Sequence, residues 1–257
     1  MRANVDTWDS IWKERENTLL DWDYLSEVVF QVLQEEIGDF NGKCILEAGS
    51  GSGRISLEVA KRKAKTALID YSHVALGLSR KLFHKNSLDA FFIQADINNM
   101  PIRYEAYDVI WNGGVLEHYK PHQQALILRN LLNVAKKNGV VIAITPYAKS
   151  IVYNLGKKVL SAFNRWPFGK EYPLTSAHQL LSEDHKNINV KEYSIGFLVS
   201  FVDVYKFLPE KIQKNKMLKR ISNFFIKNAF KLRILDKKLS SIFGGYLLVS
   251  VISKIEK

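Results

Sequence analysis

Cysteine is almost absent from the sequence. Cys44 is the single cysteine among 257 residues. One cysteine excludes an internal disulfide framework and a multi-cysteine zinc site, which is typical of proteins that fold in a reducing compartment. Because Cys44 opens the apolar run Cys44–Leu46, we expect a buried structural thiol there and not a nucleophile.

Long apolar runs are absent as well. The first forty residues contain many acids and no apolar stretch of the signal-peptide type. The longest uncharged stretch, residues 239–253, contains two adjacent glycines and is too short to cross a bilayer as a helix. We therefore expect a cytoplasmic protein that is soluble or attached to a membrane only at its periphery.

The first 150 residues lack any excess of charge. They contain 18 basic and 18 acidic side chains, whereas residues 151–257 contain 19 and 8, so the net charge of +11 lies in that second part. Residues 204–240 have a net charge of +9, with apolar residues at helical spacing: Leu218, Ile221, Phe225, Ala229 and Leu232. Such a segment can lie on an anionic membrane, hold an acidic acceptor, or pack on the core with its lysines in water.

Apolar runs rich in β-branched and aromatic residues alternate with helical patterns along the chain. This alternation indicates βαβ units, a mainly parallel sheet and therefore an α/β fold. The predicted strands are 43–48, 66–71, 90–95, 107–112 and 139–145, with 191–199 and 245–253 as closing strands. The predicted helices are 53–63, 73–86 and 121–136, preceded by a helical region at 8–37.

A glycine-rich turn, Glu47–Gly53, follows the first predicted strand. Glycines at a strand-to-helix turn permit positive φ and let a ligand approach the backbone closely. The spacing departs from the dinucleotide fingerprint G-x-G-x-x-G, because Arg54 stands where the third glycine belongs. Taken alone, the turn is also compatible with a purely structural role.

Two acids end the next two predicted strands. Asp70, 21 residues after Gly49, can accept hydrogen bonds from both ribose hydroxyls of NAD or of adenosylmethionine, or it can cap a helix. Asp96 closes the third strand and precedes Ile97, so the acid can accept from an adenine amino group while Ile97 covers the ring. After the fourth strand, Asn112 and two glycines leave room for the reactive end of a ligand.

These motifs appear in one order and spacing: the glycine turn, Asp70, Asp96–Ile97, Val115–His118 and the strand at 139–145. Together they resemble the class I S-adenosylmethionine-dependent methyltransferases over about residues 40–147. The resemblance implies a Rossmann-like sheet of seven strands, mainly parallel with the last strand antiparallel, and helices on both faces. Glu47 is a mild departure, since the family more often has Asp at the head of its first motif.

The resemblance also implies S-adenosyl-L-methionine as the cofactor. Gly49 and Gly51 would border its methionine part, Asp70 would bind the ribose, and Asn112 would lie near the methionine amino group. Asp96 with Ile97 would hold the adenine. The other candidate cofactor residues are Glu47, Gly53 and Tyr71, and no metal is expected.

Methyl transfer from a sulfonium needs no acid, because the leaving group departs neutral, so the protein mainly positions the acceptor and excludes water. A base is needed only for a hydroxyl or a protonated amine. His118, which follows the strand-four turn, is the candidate base; alternatively, Glu117 and His118 only start a helix and hold the loop. Tyr147, after the fifth strand, is a second candidate.

We expect one domain over residues 1–257, divided into a helical lid at 1–40, a cofactor-binding core at 41–147, and acceptor-side insertions at 146–190 and 200–243. Trp8 and Trp12 lie one helical turn apart, which suits core packing or a lid over the cofactor. The aromatic segment Trp166–Pro173 can form the acceptor wall or a surface excursion.

The sequence thus predicts methylation at oxygen of a small or lipid-like acceptor. A nucleic-acid methyltransferase is an alternative, although Asn112-Gly113-Gly114 replaces the Asn/Asp-Pro-Pro-aromatic turn of many amino-directed members. A non-catalytic binding protein of the same fold and a nicotinamide-dependent oxidoreductase are the others.

Overall fold

The structure, a computed structural model, describes residues 5–14, 22–162, 166, 170–181, 187–198, 200, 215–228 and 231–255, without the side chains of 219, 222, 225 and 226. Two residues of the predicted apolar stripe, Phe225 by its side chain and Ala229 entirely, therefore lie outside the description. So does residue range 201–214, the first part of the predicted insertion at 200–243.

One sheet of seven strands forms the centre of the described part of the chain. The strands are β1 (Cys44–Ala48), β2 (Lys65–Asp70), β3 (Phe91–Gln94), β4 (Tyr107–Gly113), β5 (Ala135–Pro146), β6 (Ile188–Ile195) and β7 (Leu247–Lys254). Their spatial order is β3-β2-β1-β4-β5-β7-β6. β1 to β5 pair in parallel, whereas β7 is antiparallel to both β5 and β6. The predicted Rossmann-like sheet with an antiparallel last strand is confirmed.

Helices cover both faces of this sheet. They are α1 (Val5–Glu14), α2 (Tyr24–Ile37), α3 (Arg54–Ala60), α4 (His73–Lys85), α5 (Pro121–Val134), α6 (Ile151–Ala162), α7 (Ala177–Leu180), α8 (Lys216–Asn228) and α9 (Arg233–Phe243). Because side chains alternate along a strand, Ile45 packs in a buried cluster with α2, and its neighbour Leu46 packs in one with α5. No described helix has both the length and the apolar character that crossing a membrane requires.

Three predicted elements differ from the structure, each for a local reason. The helical region at 8–37 contains two helices, since Asp23 caps α2 by accepting a 2.8 Å hydrogen bond from the Ser26 amide. The closing strand predicted at 191–199 ends at Ile195, where Gly196 has a φ of 81°. The stripe predicted to continue to Leu232 is interrupted, because α8 ends at Asn228 and residues 231–232 form a turn.

Candidate active site

A cavity of about 320 Å³ opens at the carboxyl ends of β1, β2 and β4. The sheet order reverses between β1 and β4, and ligands of open α/β sheets bind at such a switch point. The predicted site residues that line the cavity are Glu47, Gly49, Gly51, Asp70, Tyr71, Ile97 and His118. The fold thus brings together residues from four separate motifs.

Two glycines let neighbouring segments approach the turn after β1. Gly49 and Gly51 have φ values of 79° and 52°. A Cβ at Gly49 would lie 2.5 Å from the Val115 side chain, and one at Gly51 would lie 2.5 Å from the Trp12 ring. Any larger residue would therefore displace the loop after β4 or helix α1. Gly53, also predicted as a cofactor residue, caps α3 and does not line the cavity.

Asp70 joins the tip of β2 to the glycine turn. Its Oδ2 accepts a 2.8 Å hydrogen bond from the Gly51 amide, and its Oδ1 accepts one of 2.9 Å from the Ser72 amide. Burial raises the pKa of the Asp70 carboxyl in spite of these donors. A ligand hydroxyl in the cavity would add a further donor and favour the ionised carboxylate.

The predicted adenine residues lie on the far side of Asp70. Ile97 is buried and lines the cavity. Asp96 is half-buried and does not line it; its Oδ1 accepts hydrogen bonds of 2.9 and 2.7 Å from the amide and side chain of Asn98. A contact between Asp96 and an adenine amino group therefore requires the ligand to reach past Ile97.

Two polar side chains beside the cavity have unpartnered buried atoms. Asn112 lies between the cavity residues Trp111 and Gly113, is fully buried, and pairs neither Oδ1 nor Nδ2. Glu47 lines the cavity and leaves Oε2 unpartnered, and burial raises its pKa to about 8. Buried unpaired polar atoms cost about 1–3 kcal/mol each, so both positions suit a ligand that supplies hydrogen bonds.

A second polar group lies at the other end of the cavity. Glu117, His118 and Glu171 each offer an oxygen or nitrogen atom, and these atoms lie within 4.8 Å of one another. Burial and the charge of Glu171 raise the pKa of Glu117 to about 8, whereas burial lowers the pKa of His118. The sequence analysis did not single out Glu171; its only signal was its position in the aromatic segment Trp166–Pro173.

Both ends of that aromatic segment face the cavity, through Trp166 and Glu171. The Tyr172 amide donates a 2.6 Å hydrogen bond to the Glu117 carbonyl, which ties the segment to the turn after β4. Tyr147, the second predicted base, does not line the cavity and packs on the buried cluster that includes α5. Its position gives it no access to a ligand there.

Helix α1 lies over the cavity. The rings of Trp8 and His118 meet edge to face with centroids 5.0 Å apart, and Trp12 covers the glycine turn. The Asp9 carboxylate accepts a hydrogen bond from the Ser72 hydroxyl and lies 2.9 Å from His73 Nδ1, which fastens α1 to the start of α4. Both tryptophans line the cavity, so α1 has the position that a lid requires.

Comparison with known proteins agrees with this geometry. Residues 45–139 match the family model of a methyltransferase domain. None of the curated proteins matches the chain by sequence. Solved structures share its fold, among them the [4+2]-cyclase SpnF, with 17% identity over 89% of this chain and 80% of that one and a TM-score of 0.58.

Two further structures are similar. The MccD protein has 16% identity over 92% of this chain and all of that one, with a TM-score of 0.56. Magnesium protoporphyrin IX methyltransferase from Synechocystis PCC 6803, crystallised with bound SAH (S-adenosylhomocysteine), has 20% identity over 67% of this chain and 77% of that one, with a TM-score of 0.51. By its fold and its methyltransferase domain, the chain is a class I S-adenosylmethionine-dependent methyltransferase.

Proposed function

We propose that this methyltransferase transfers the methyl group to an oxygen atom of a small or lipid-like acceptor, with His118 as the general base. The observation that carries the proposal is the position of His118 in the wall of the cavity, at the end opposite Asp70. Since burial lowers the pKa of its imidazole, His118 is neutral near pH 7 and can accept a proton from a hydroxyl.

The residues around the glycine turn fit S-adenosylmethionine. Side chains at Gly49 and Gly51 would fill the space beside the backbone, which is the space that the methionine part needs. Asn112 has a free carbonyl oxygen and a free amide group in its buried site, so it can pair with the amino or carboxylate group of that part. Asp70 presents its carboxylate to the ribose, and Tyr71 and Ile97 line the path to the adenine.

The bound cofactor supplies a methyl group on a positively charged sulfur, which leaves as a neutral thioether. The protein then has to hold the acceptor in line and keep water away. Trp8 and Trp12 cover the cavity from α1, and Trp166, Tyr246 and Leu247 add apolar surface at the acceptor end. This lining favours an acceptor with an apolar body over a strongly charged one.

The basic second part of the chain supports contact with an anionic membrane. Helix α8 exposes Met217, Ile221 and Phe224 along one face, and none of its described side chains is buried. Lys216, Arg220 and Lys227 follow the adjacent flank at helical spacing. Apolar residues beside lysines and arginines are the pattern of an interfacial helix. It disfavours the alternative that this stretch packs on the core.

Helix α6 supplies a second exposed stripe that the sequence analysis did not identify. Ile151, Leu155 and Val159 are exposed by 61%, 62% and 41%, one helical turn apart. The opposite face of α6 includes Tyr153, whose ring lies 5.2 Å from the ring of the cavity residue Tyr246. The stripe therefore lies near the acceptor end of the cavity, where a lipid-like acceptor would arrive.

Transfer of radiolabelled methyl from S-adenosylmethionine to panels of hydroxyl, carboxyl and amine acceptors, including extracted lipids, tests the proposal. With an acceptor found, His118→Ala should lower turnover roughly 10²–10⁴-fold and leave S-adenosylhomocysteine affinity nearly unchanged. His122→Ala is the control, because His122 is exposed at the start of α5. If only amines are methylated, or if His118→Ala keeps full turnover on a hydroxyl, the proposed chemistry is wrong.

A further inference from the structure

Glu171 reaches the acceptor end of the cavity from a segment far from His118 in sequence. Its carboxylate oxygen lies within 4.8 Å of the ligand-type atoms of Glu117 and His118. The Glu171 side chain is only 3% exposed, so water screens its charge poorly. The proposed function gives this buried carboxylate no task.

Hydrogen bonds hold the segment that carries Glu171 against the turn of His118. Besides the hydrogen bond from the Tyr172 amide to the Glu117 carbonyl, the Gln124 amide group bridges two carbonyls, those of Leu116 and Tyr172, at 2.9 and 2.8 Å. Gln124 is itself buried. The position of Glu171 relative to His118 is therefore built by three connections and is not the result of a flexible surface contact.

The donors around Glu171 stabilise its charge on the side away from His118. Its Oε2 accepts hydrogen bonds of 2.7 Å from the Tyr153 hydroxyl and 2.6 Å from the Lys157 ammonium. The neighbouring carboxyl, Glu117, is buried, leaves Oε2 unpartnered, and has a pKa raised to about 8. Near pH 7 the group therefore contains one carboxylate, at Glu171, and one neutral acid, at Glu117.

We propose that Glu171 is the positioning residue of His118, whose protonated form it stabilises through its buried carboxylate. The inference rests on the proposed function of His118. In that step the acceptor O–H bond breaks and its proton passes to the imidazole, while the oxygen forms a bond to the methyl carbon. The carbon–sulfur bond breaks with its electron pair left on sulfur. The positive charge lost from sulfur thus reappears on His118, where Glu171 lies.

The titration of His118 tests this without an acceptor. Imidazole signals of ¹³C-labelled protein, saturated with S-adenosylhomocysteine, are followed by NMR from pH 5 to 9, and His118→Asn identifies the signal. Glu171→Gln should lower the pKa of His118 by about one unit or more, as expected for loss of a negative charge at this distance. Glu171→Asp should restore part of the shift, because it keeps the charge.

Two further variants separate the carboxylate from its neighbours. Glu117→Gln should leave the titration of His118 unchanged below pH 8, because Glu117 is already neutral there. Lys157→Met combined with Glu171→Gln removes the ammonium that would otherwise be left unpaired. The pKa of His118 should still fall in this double variant, because the charge of Glu171 influences it more than that of Lys157.

An unchanged titration in both Glu171→Gln and the double variant would overturn the proposal, provided that both proteins remain folded and bind S-adenosylhomocysteine. Selective broadening of the His118 signal by micromolar Mn²⁺ would also overturn it, since the three residues would then form a metal site. Failure of the proposed function looks different. In that case His118→Ala keeps its turnover, while the coupling between Glu171 and His118 is still measured.

Discussion

Replacing Asp70 should weaken binding of S-adenosylhomocysteine more than it weakens the fold. The carboxylate is 6% exposed and faces the cavity between the glycine turn and Tyr71. Loss of a charge-assisted hydrogen bond to a ribose hydroxyl costs about 1.5–3 kcal/mol, which corresponds to roughly a ten- to a hundredfold weaker affinity. Asp70→Ala should show that loss, and Asp70→Asn, which keeps one carbonyl oxygen, should lie between it and the native protein.

Asp70 also has a structural task, so stability must be measured alongside affinity. Asp70→Ala removes the acceptors of the Gly51 and Ser72 amides and should lower the unfolding midpoint. Calorimetric titration at a temperature well below that midpoint separates the two effects. Asp39→Ala is the matched control: Asp39 accepts a 2.9 Å hydrogen bond from the Asn41 amide in an exposed loop outside the cavity.

Asp96→Ala completes the experiment at the adenine end. The predicted loss is again roughly tenfold or more, although Asp96 lies behind Ile97. If neither Asp70→Ala nor Asp96→Ala changes the affinity, the assignment of this cavity to the cofactor is refuted. If only Asp96→Ala has no effect, the adenine contact is wrong and the ribose contact stands.

Two other predictions concern charge. Glu47 and Glu117 have pKa values raised to about 8, so the native state binds their protons more tightly than the unfolded state, and the resulting stability should be lost as the pH rises from about 5 to 8; urea unfolding at several pH values should show a falling midpoint that Glu47→Gln flattens, and a midpoint that rises over this range would contradict the assignment. Replacing Lys216, Lys219, Lys227 and Lys231 by Gln should sharply reduce co-sedimentation with anionic vesicles, since each basic residue contributes about 1 kcal/mol near such a surface. The same change at Lys61, Lys65, Lys81 and Lys85 should not, and native protein that ignores anionic vesicles at low salt would end the membrane proposal.

The sheet could be predicted because buried parallel strands are written as short apolar runs between turn residues. β1 to β4 begin and end within about a residue of the predicted limits, and β4 illustrates why, with Val109–Trp111 fully apolar between polar ends. The limits of β6 could not be predicted in the same way. Its side chains alternate at the sheet edge, and the positive φ of Gly196, not a change in hydrophobicity, ends it.

The cofactor side of the cavity could be predicted because its residues lie in local motifs. Each motif places its side chain at a strand end, and parallel strands bring their carboxyl ends to one edge. The acceptor side depends on contacts between distant segments, such as the one that brings Glu171 to His118. The sequence spacing of Ile151, Leu155 and Val159 is also that of an ordinary helix, and only the fold shows which face is exposed.

A crystal structure with bound S-adenosylhomocysteine tests the central claim most directly. The account predicts that the ligand lies in this cavity, with its homocysteine part against Gly49 and Gly51. Ribose oxygens should lie at hydrogen-bond distance, about 2.7–3.0 Å, from the Asp70 carboxylate, with the adenine against Ile97 and the sulfur toward His118. Electron density for the ligand outside this cavity, or a ribose that does not contact Asp70, would contradict it.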